Sequence, residues 1–323
     1  MNPLSRHSNP QSPQLPQDPP PLTRPRPSLA LVERSAPPPD RRRTPLDYWH
    51  LFSLDAPSVA AVWTIAVASA VGLHLSWTSP AAMFVAVWML YAADRLLDAR
   101  PLPGGQAPPN LEERHRFHHR HRRVFLVLIA IASCALVALL CTLDSRAMRL
   151  YTLLATLLGV WFLIIHVRPL PGDGTHRLPK ELAVGIFFPA AVFIPTVARL
   201  PQLRLDLLPI AFLLAATCSL NCLYLYAWEH PDPRSGAHWS TRWATNHLAA
   251  LTWTIAALSF LYCLLSTSLL SPLSVLTGCV FTSSLLLLLL NRLRNRIHPL
   301  HLRALADLVL LTPLIPLTLS LLA

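Results

Sequence analysis

Charge is scarce in this chain. Asp, Glu, Lys and Arg make up 13% of its 323 residues, against 53% hydrophobic ones. Soluble domains carry about a quarter of their residues as charges, so an ordinary water-soluble globule is excluded. Lysine is rarer still, and Lys180 is the only one among 27 basic residues. The six cysteines, Cys134, Cys141, Cys218, Cys222, Cys263 and Cys279, all fall in long apolar runs, which argues against a disulfide framework. Cys218 and Cys222 share a helix face, where small polarisable residues suit helix packing better than a metal site. The chain also lacks an early apolar segment of signal-peptide type, so its first span is expected to serve as the insertion signal. There is no short-period repeat.

What the chain does have is apolar runs long enough to cross a hydrocarbon core about 30 Å thick. They lie near Ala56–Leu75, Ala81–Leu97, Val124–Leu143, Leu150–Val167, Leu182–Val197, Leu207–Trp228, His247–Ser266, Leu273–Leu290 and Leu302–Leu322. The expected fold is an all-α polytopic membrane protein of about nine transmembrane helices bundled around a cavity. With the N-terminus in the cytoplasm, all 27 basic residues except Arg146, Arg149, Arg199 and Arg204 fall on the cytoplasmic side. That asymmetry is what membrane topology imposes. The formal charge of +11 is therefore read as topology, and nucleic acid is not expected as a partner. Residues 1–46, rich in Pro, Ser, Gln and Arg, are expected to be a disordered cytoplasmic tail ahead of a membrane domain over 47–323. The expected location is a bacterial inner membrane.

Two acids, Asp94 and Asp98, close the second run one helical turn apart. A helix C-terminus disfavours carboxylates by roughly 0.3–1 kcal/mol each, and the two also repel one another. A cation missing from the sequence would resolve this, and Mg²⁺ takes such carboxylates together with waters and phosphates. The alternative is a solvated helix end with Arg95 partly neutralising Asp98. Asn221, Glu229 and Asp232 gather in the same way at the end of the sixth run. Lys180 opens the fifth, placing a compact cation of the kind that suits a phosphate. The basic stretch from Arg114 to Arg123 interleaves His115, His118, His119 and His121 with arginine. It reads as a juxtamembrane helix gripping anionic membrane lipid, or as a source of Arg114 or Arg116 folding back onto a diphosphate. His74, His166, Asn246 and His247 lie near span ends and read as structural. Asp307 is expected to pair locally with Arg303, with a place in the cavity as a second option.

Two acid clusters facing one lysine at the mouth of a helical bundle would hold a diphosphate through Mg²⁺ and help it leave. A site inside a membrane further implies a very apolar carbon end, which describes a polyprenyl diphosphate. The residues from Ala56 onward resemble the UbiA superfamily of membrane prenyltransferases. The segment Leu90-Tyr91-Ala92-Ala93-Asp94-Arg95-Leu96-Leu97-Asp98 aligns with that family's motif N-D-x-x-D-x-x-x-D in its last two acids. Lys180 and Gly185 match the basic residue and glycine at the family's fifth helix. The resemblance implies Mg²⁺ bound by Asp94, Asp98, Glu229 and Asp232, with Asp94, Asp98 and Lys180 catalytic. It further implies substrate contacts from Arg95, Arg114, Arg116, Asn221 and Tyr224, and prenyl transfer to a lipophilic or aromatic acceptor. Leu90 and Tyr91 stand where the motif has Asn and Asp, and the second motif is thinned to Asn221, Glu229 and Asp232. Three alternatives follow. One is a non-catalytic member that binds an isoprenoid or lipid, or scaffolds a complex. Another is a transporter, which charges clustered at one mouth disfavour. The last is a CDP-alcohol phosphotransferase, whose glycine signature is absent around Asp94.

Overall fold

The chain divides into Met1–Arg42 and Arg43–Ala323. The computed structural model describes residues 43–98, 113–167, 180–230, 238–265 and 272–322. Among them every regular element is a helix. The first, α1 (Pro45–Leu51), is fixed by a capping box: Thr44 Oγ1 accepts from the Asp47 amide at 3.3 Å, and Asp47 accepts from the Thr44 amide at 2.7 Å. Pro45 occupies a first-turn position, where its missing N–H costs nothing. This first helix begins inside the tail expected over residues 1–46, of which residues 1–42 lie outside the described residues.

Between α1 and α2 (Asp55–Ser69) the axis bends by 88°. Ser53 makes the turn with φ +59°, a left-handed backbone that costs a non-glycine residue about 1–2 kcal/mol. Two contacts hold it: Ser53 Oγ lies 3.2 Å from His118 Nε2, and Trp88 Nε1 donates to the Phe52 carbonyl at 3.0 Å.

The other elements follow in order: α3 (Thr78–Asp98), α4 (Glu113–Arg120), α5 (Arg122–Leu140), α6 (Ser145–Val167), α7 (Lys180–Arg199), α8 (Arg204–Glu229), α9 (Trp239–Asn246), α10 (Leu248–Leu265), α11 (Pro272–Leu293), α12 (Pro299–Leu308) and α13 (Leu314–Leu322). The main core joins α2, α3, α7, α8 and α11 through Trp63, Val87, Val192, Ile210, Leu214 and Val280. A second cluster ties α8, α10, α11 and α12 through Tyr224, Leu248, Leu287 and Leu302. By contrast, α5 and α6 expose apolar side chains such as Val127, Ile131, Leu153 and Leu163. Gly185 brings α7 hard against α8, since a Cβ there would overlap Ser219 Oγ and sit 2.9 Å from the Ala215 carbonyl oxygen.

Five of the described helical segments, Thr78–Leu97, Arg122–Leu140, Pro201–Glu229, Leu248–Leu265 and Leu273–Arg296, are long and apolar enough to cross a membrane, or six if the bent α1–α2 pair counts as one. This makes the protein compatible with membrane integration. Each of the nine apolar runs contains a helix, but the last is broken by a 3₁₀ turn over Val309–Leu311. The break has a chemical cause. Pro313 has no N–H to offer the Val309 carbonyl, which accepts instead from Ser283 Oγ at 2.8 Å. The Leu310 carbonyl accepts from Trp63 Nε1 at 2.8 Å, and Thr312 Oγ1 donates to the Cys279 carbonyl at 3.0 Å. Backbone groups exposed by a break inside an apolar bundle need such partners.

Candidate functional site

Helices α1, α2, α3, α8 and α12 each deliver one polar side chain to a single buried cluster. His50 comes from the last turn of α1, and Asp55 is the first residue of α2. Their contact is short, with His50 Nδ1 2.6 Å from Asp55 Oδ2. Arg95, on the last turn of α3, donates to the His50 carbonyl at 2.8 Å and stands 3.6 Å from Asp55 Oδ2. It therefore serves both the carbonyl end of α1 and the acid at the start of α2. From α8, Asn221 Nδ2 donates to Asp307 Oδ1 on α12 at 2.8 Å. His50, Asp55, Arg95 and Asn221 are all less than 5% exposed. His50, Asp55 and Asp307 each offer one ligand atom, all within 4.8 Å of one another.

Beside the cluster lies a hollow of about 20 Å³, lined among others by Tyr91 of α3, Asn221 and Cys222 of α8, Asp307 of α12 and Leu310 of the break. That is room for one water or a bare ion, and far too little for an isoprenoid tail. The charges leave an imbalance. Asp55 and Asp307 against Arg95, with His50 neutral, sum to one negative charge, and a buried net charge is strongly disfavoured unless a proton or a cation closes it.

The expected site residues fall in different places. Asp94 is half-buried near the end of α3, and that helix continues unbroken through Asp98. Positions 94 and 98 therefore fall on the same face of α3. The Asp98 side chain, the side chains of Lys180 and Arg114, and Asp232 as a whole lie outside the described residues. Arg116 is exposed on α4. Arg95 turns inward to Asp55 and the His50 carbonyl. Tyr224 is fully buried, its hydroxyl 2.9 Å from Thr252 Oγ1. Glu229 is engaged by Arg303 at 2.6 Å, an orientation that ties α8 to α12.

The local Arg303–Asp307 pair expected from sequence is overturned by that contact. Arg303 reaches across to Glu229, and Asp307 turns to Asn221 in the buried cluster. His50 and Asp55 are residues that sequence reasoning passed over. The available signal was Asp55 itself: apart from Asp47, it is the only acid between Arg41 and Asp94. It also stands at the mouth of an apolar run, where an acid is easily read as a mere helix start.

No family model, curated protein or solved structure matches the chain. Its functional reading therefore rests on its own residues.

Proposed function

We propose that the protein is an Mg²⁺-dependent prenyltransferase that moves a prenyl group from a polyprenyl diphosphate to a lipophilic or aromatic acceptor within the membrane. In this reading about nine spans form a UbiA-like bundle in a bacterial inner membrane, with the N-terminus in the cytoplasm. One observation carries the reading. The two helices that end in acids, α3 and α8, wall the same hollow through Tyr91, Asn221 and Cys222. Tyr91 occupies a position where the family motif has a carboxylate, and Asp307 and Asp55 bring carboxylates to that neighbourhood from other helices. The broken α12–α13 segment adds support, since interrupted helices in membrane proteins line substrate and ion sites.

Asp94 and Asp98 would hold Mg²⁺ on one face of α3, an all-oxygen set of the kind that ion takes with waters and phosphates. When bound, the ion supplies neutralisation of charge on the departing diphosphate. Lys180 is assigned to the diphosphate as a point charge, with Arg114 or Arg116 covering it. Arg95 is assigned to fixing the end of α3, so that Asp94 and Asp98 are presented in one orientation. The isoprenoid tail would lie between helices that part to admit it, because the hollow itself does not hold it.

The test is thermal unfolding of the detergent-solubilised chain with farnesyl diphosphate and longer analogues, with and without Mg²⁺. A ligand at 100 times its Kd stabilises by about 2.7 kcal/mol, so Tm should rise by several degrees with diphosphate and Mg²⁺ together and with neither alone. Asp98→Asn should abolish the rise. An unmoved Tm under every condition would sink the reading.

A second reading, a non-catalytic protein that binds an isoprenoid or lipid or scaffolds a complex, is favoured by the Glu229–Arg303 pair, which engages an acid of the second motif. It predicts that neutral farnesol stabilises the chain as well as its diphosphate, and that Asp94→Asn leaves this unchanged.

A further inference from the structure

We propose that His50, Asp55, Asp307 and Asn221 form a binding site for one divalent first-row transition-metal ion, separate from the Asp94–Asp98 pair. Three observations converge. The first is the donor set: one imidazole and two carboxylates whose ligand atoms lie within 4.8 Å of one another, a spacing from which modest closure brings all three onto one ion. The second is an unpartnered polar atom. Asn221 Oδ1 is buried with no hydrogen-bond partner, while Nδ2 of the same amide is bonded to Asp307 at 2.8 Å. Asn221 lines the same hollow as Asp307 and carries this buried, unpartnered oxygen. Buried amide oxygens are ordinarily satisfied, and a cation is the partner that would satisfy this one together with the carboxylates.

The third observation is charge. Arg95 offsets one of the two carboxylates, and the second negative charge is left to be closed inside a site less than 5% exposed at His50, Asp55 and Asn221. A divalent ion offsets it: as the ion binds, the ring proton that His50 Nδ1 holds against Asp55 Oδ2 at 2.6 Å moves to Nε2, so that neutral imidazole and two carboxylates meet the metal. No proton is lost from the ring and no redox step is involved. The hollow beside the cluster, about 20 Å³, has Asp307 and Asn221 in its wall and room for a single water ligand. A mixed nitrogen and oxygen set favours Zn²⁺, Mn²⁺, Fe²⁺ or Co²⁺ over Mg²⁺, which prefers oxygen alone. The bound ion would clamp α1, α2, α8 and α12 together at the bend and beside the break.

This site does not depend on prenyl transfer, and its test is kept apart from that activity. The full-length chain is purified in detergent, stripped with EDTA and titrated with Co²⁺, whose visible ligand-field bands report nitrogen and oxygen ligation. Zn²⁺ and Mn²⁺ are followed by Tm and by elemental analysis after desalting. The expected result is one ion per chain, with Co²⁺ bands lost in His50→Gln and Asp307→Asn and retained in Asp98→Asn. Asn221→Ala keeps every ionisable ligand. It should fold and weaken Co²⁺ binding about tenfold, which keeps the test decisive if the other variants do not fold. The proposal is overturned by wild-type protein that binds no Co²⁺, Zn²⁺ or Mn²⁺ after stripping. It is equally overturned by bands that survive in both His50→Gln and Asn221→Ala. A chain that Asp307→Asn stabilises and no metal stabilises would assign the closing charge to a proton instead.

Discussion

Arg95 shows how one side chain can matter more to the fold than its place in a motif suggests. Its guanidinium is buried, bonded to the His50 carbonyl and 3.6 Å from Asp55. Removing one member of such a buried pair leaves the other charge stranded, at a cost of about 3–5 kcal/mol. Arg95→Met should therefore lower stability severely, and the double variant Arg95→Met, Asp55→Leu should recover much of the loss. Thermal unfolding of both variants checks this. Additive losses would mean that the two residues are not coupled. Arg303→Met, which breaks the Glu229 pair whose side chains are 13% and 23% exposed, should cost less than the fully buried pair, about 1–3 kcal/mol. The acids of Asp94 and Asp98 were legible in the sequence because two carboxylates at a helix end stand out against an apolar background. Asp55 and Asp307 were not, since each has an innocent local explanation, a helix start for one and an Arg303 partner for the other. Only tertiary packing shows that Arg303 is taken by Glu229 and that Asp55 meets His50, Arg95 and Asp307.

The elements follow the same division between what is local and what is not. The apolar runs gave the helices, because a run of that length has few other ways to bury its backbone in an apolar surrounding. The breaks were not legible. Ser53 is an ordinary residue whose left-handed turn is imposed by His118 and Trp88 from distant helices. At the α12–α13 break, Pro313 was visible in sequence, but its consequence depends on Ser283 and Trp63 meeting the freed carbonyls. Ser283→Ala and Trp63→Phe should each cost about 1–3 kcal/mol by leaving a buried carbonyl without its donor. Amide hydrogen exchange should rise locally across 309–317 in both variants, and unchanged exchange there would count against the account of the break. Gly185 offers a second test at this scale. Gly185→Ala forces α7 away from Ser219 and the Ala215 carbonyl, an overpacking that costs about 1–3 kcal/mol. Ser219→Gly should restore part of the lost Tm in the Gly185→Ala background, since it removes the Ser219 Oγ and Cβ that the new methyl meets and leaves only the Ala215 carbonyl oxygen.

For the molecule as a whole, the scarcity of charge and the distribution of exposure mark the faces that a lipid surrounding would cover. Helix α8 buries more than half of its apolar window, while α5 leaves nearly all of its own uncovered, including Val127, Ile131 and Val137. A helix that is apolar all round and packed on one side only needs a solvent as apolar as itself. Ile131, 61% exposed near the middle of α5, is the position where that requirement can be measured. Ile131→Arg should cost about 2.5–3.5 kcal/mol of membrane insertion, because the guanidinium lands in hydrocarbon far from either end of the helix. The reverse substitution at Arg116, Arg116→Ile, removes an exposed charge from α4 and should leave insertion unaffected. Carbonate extraction of membranes carrying each variant separates the cases. Wild type and Arg116→Ile should stay in the pellet, and Ile131→Arg should be depleted from it. If Ile131→Arg stayed as firmly embedded as wild type, α5 would have to be covered by protein, and its bare face would belong to a subunit contact rather than to lipid.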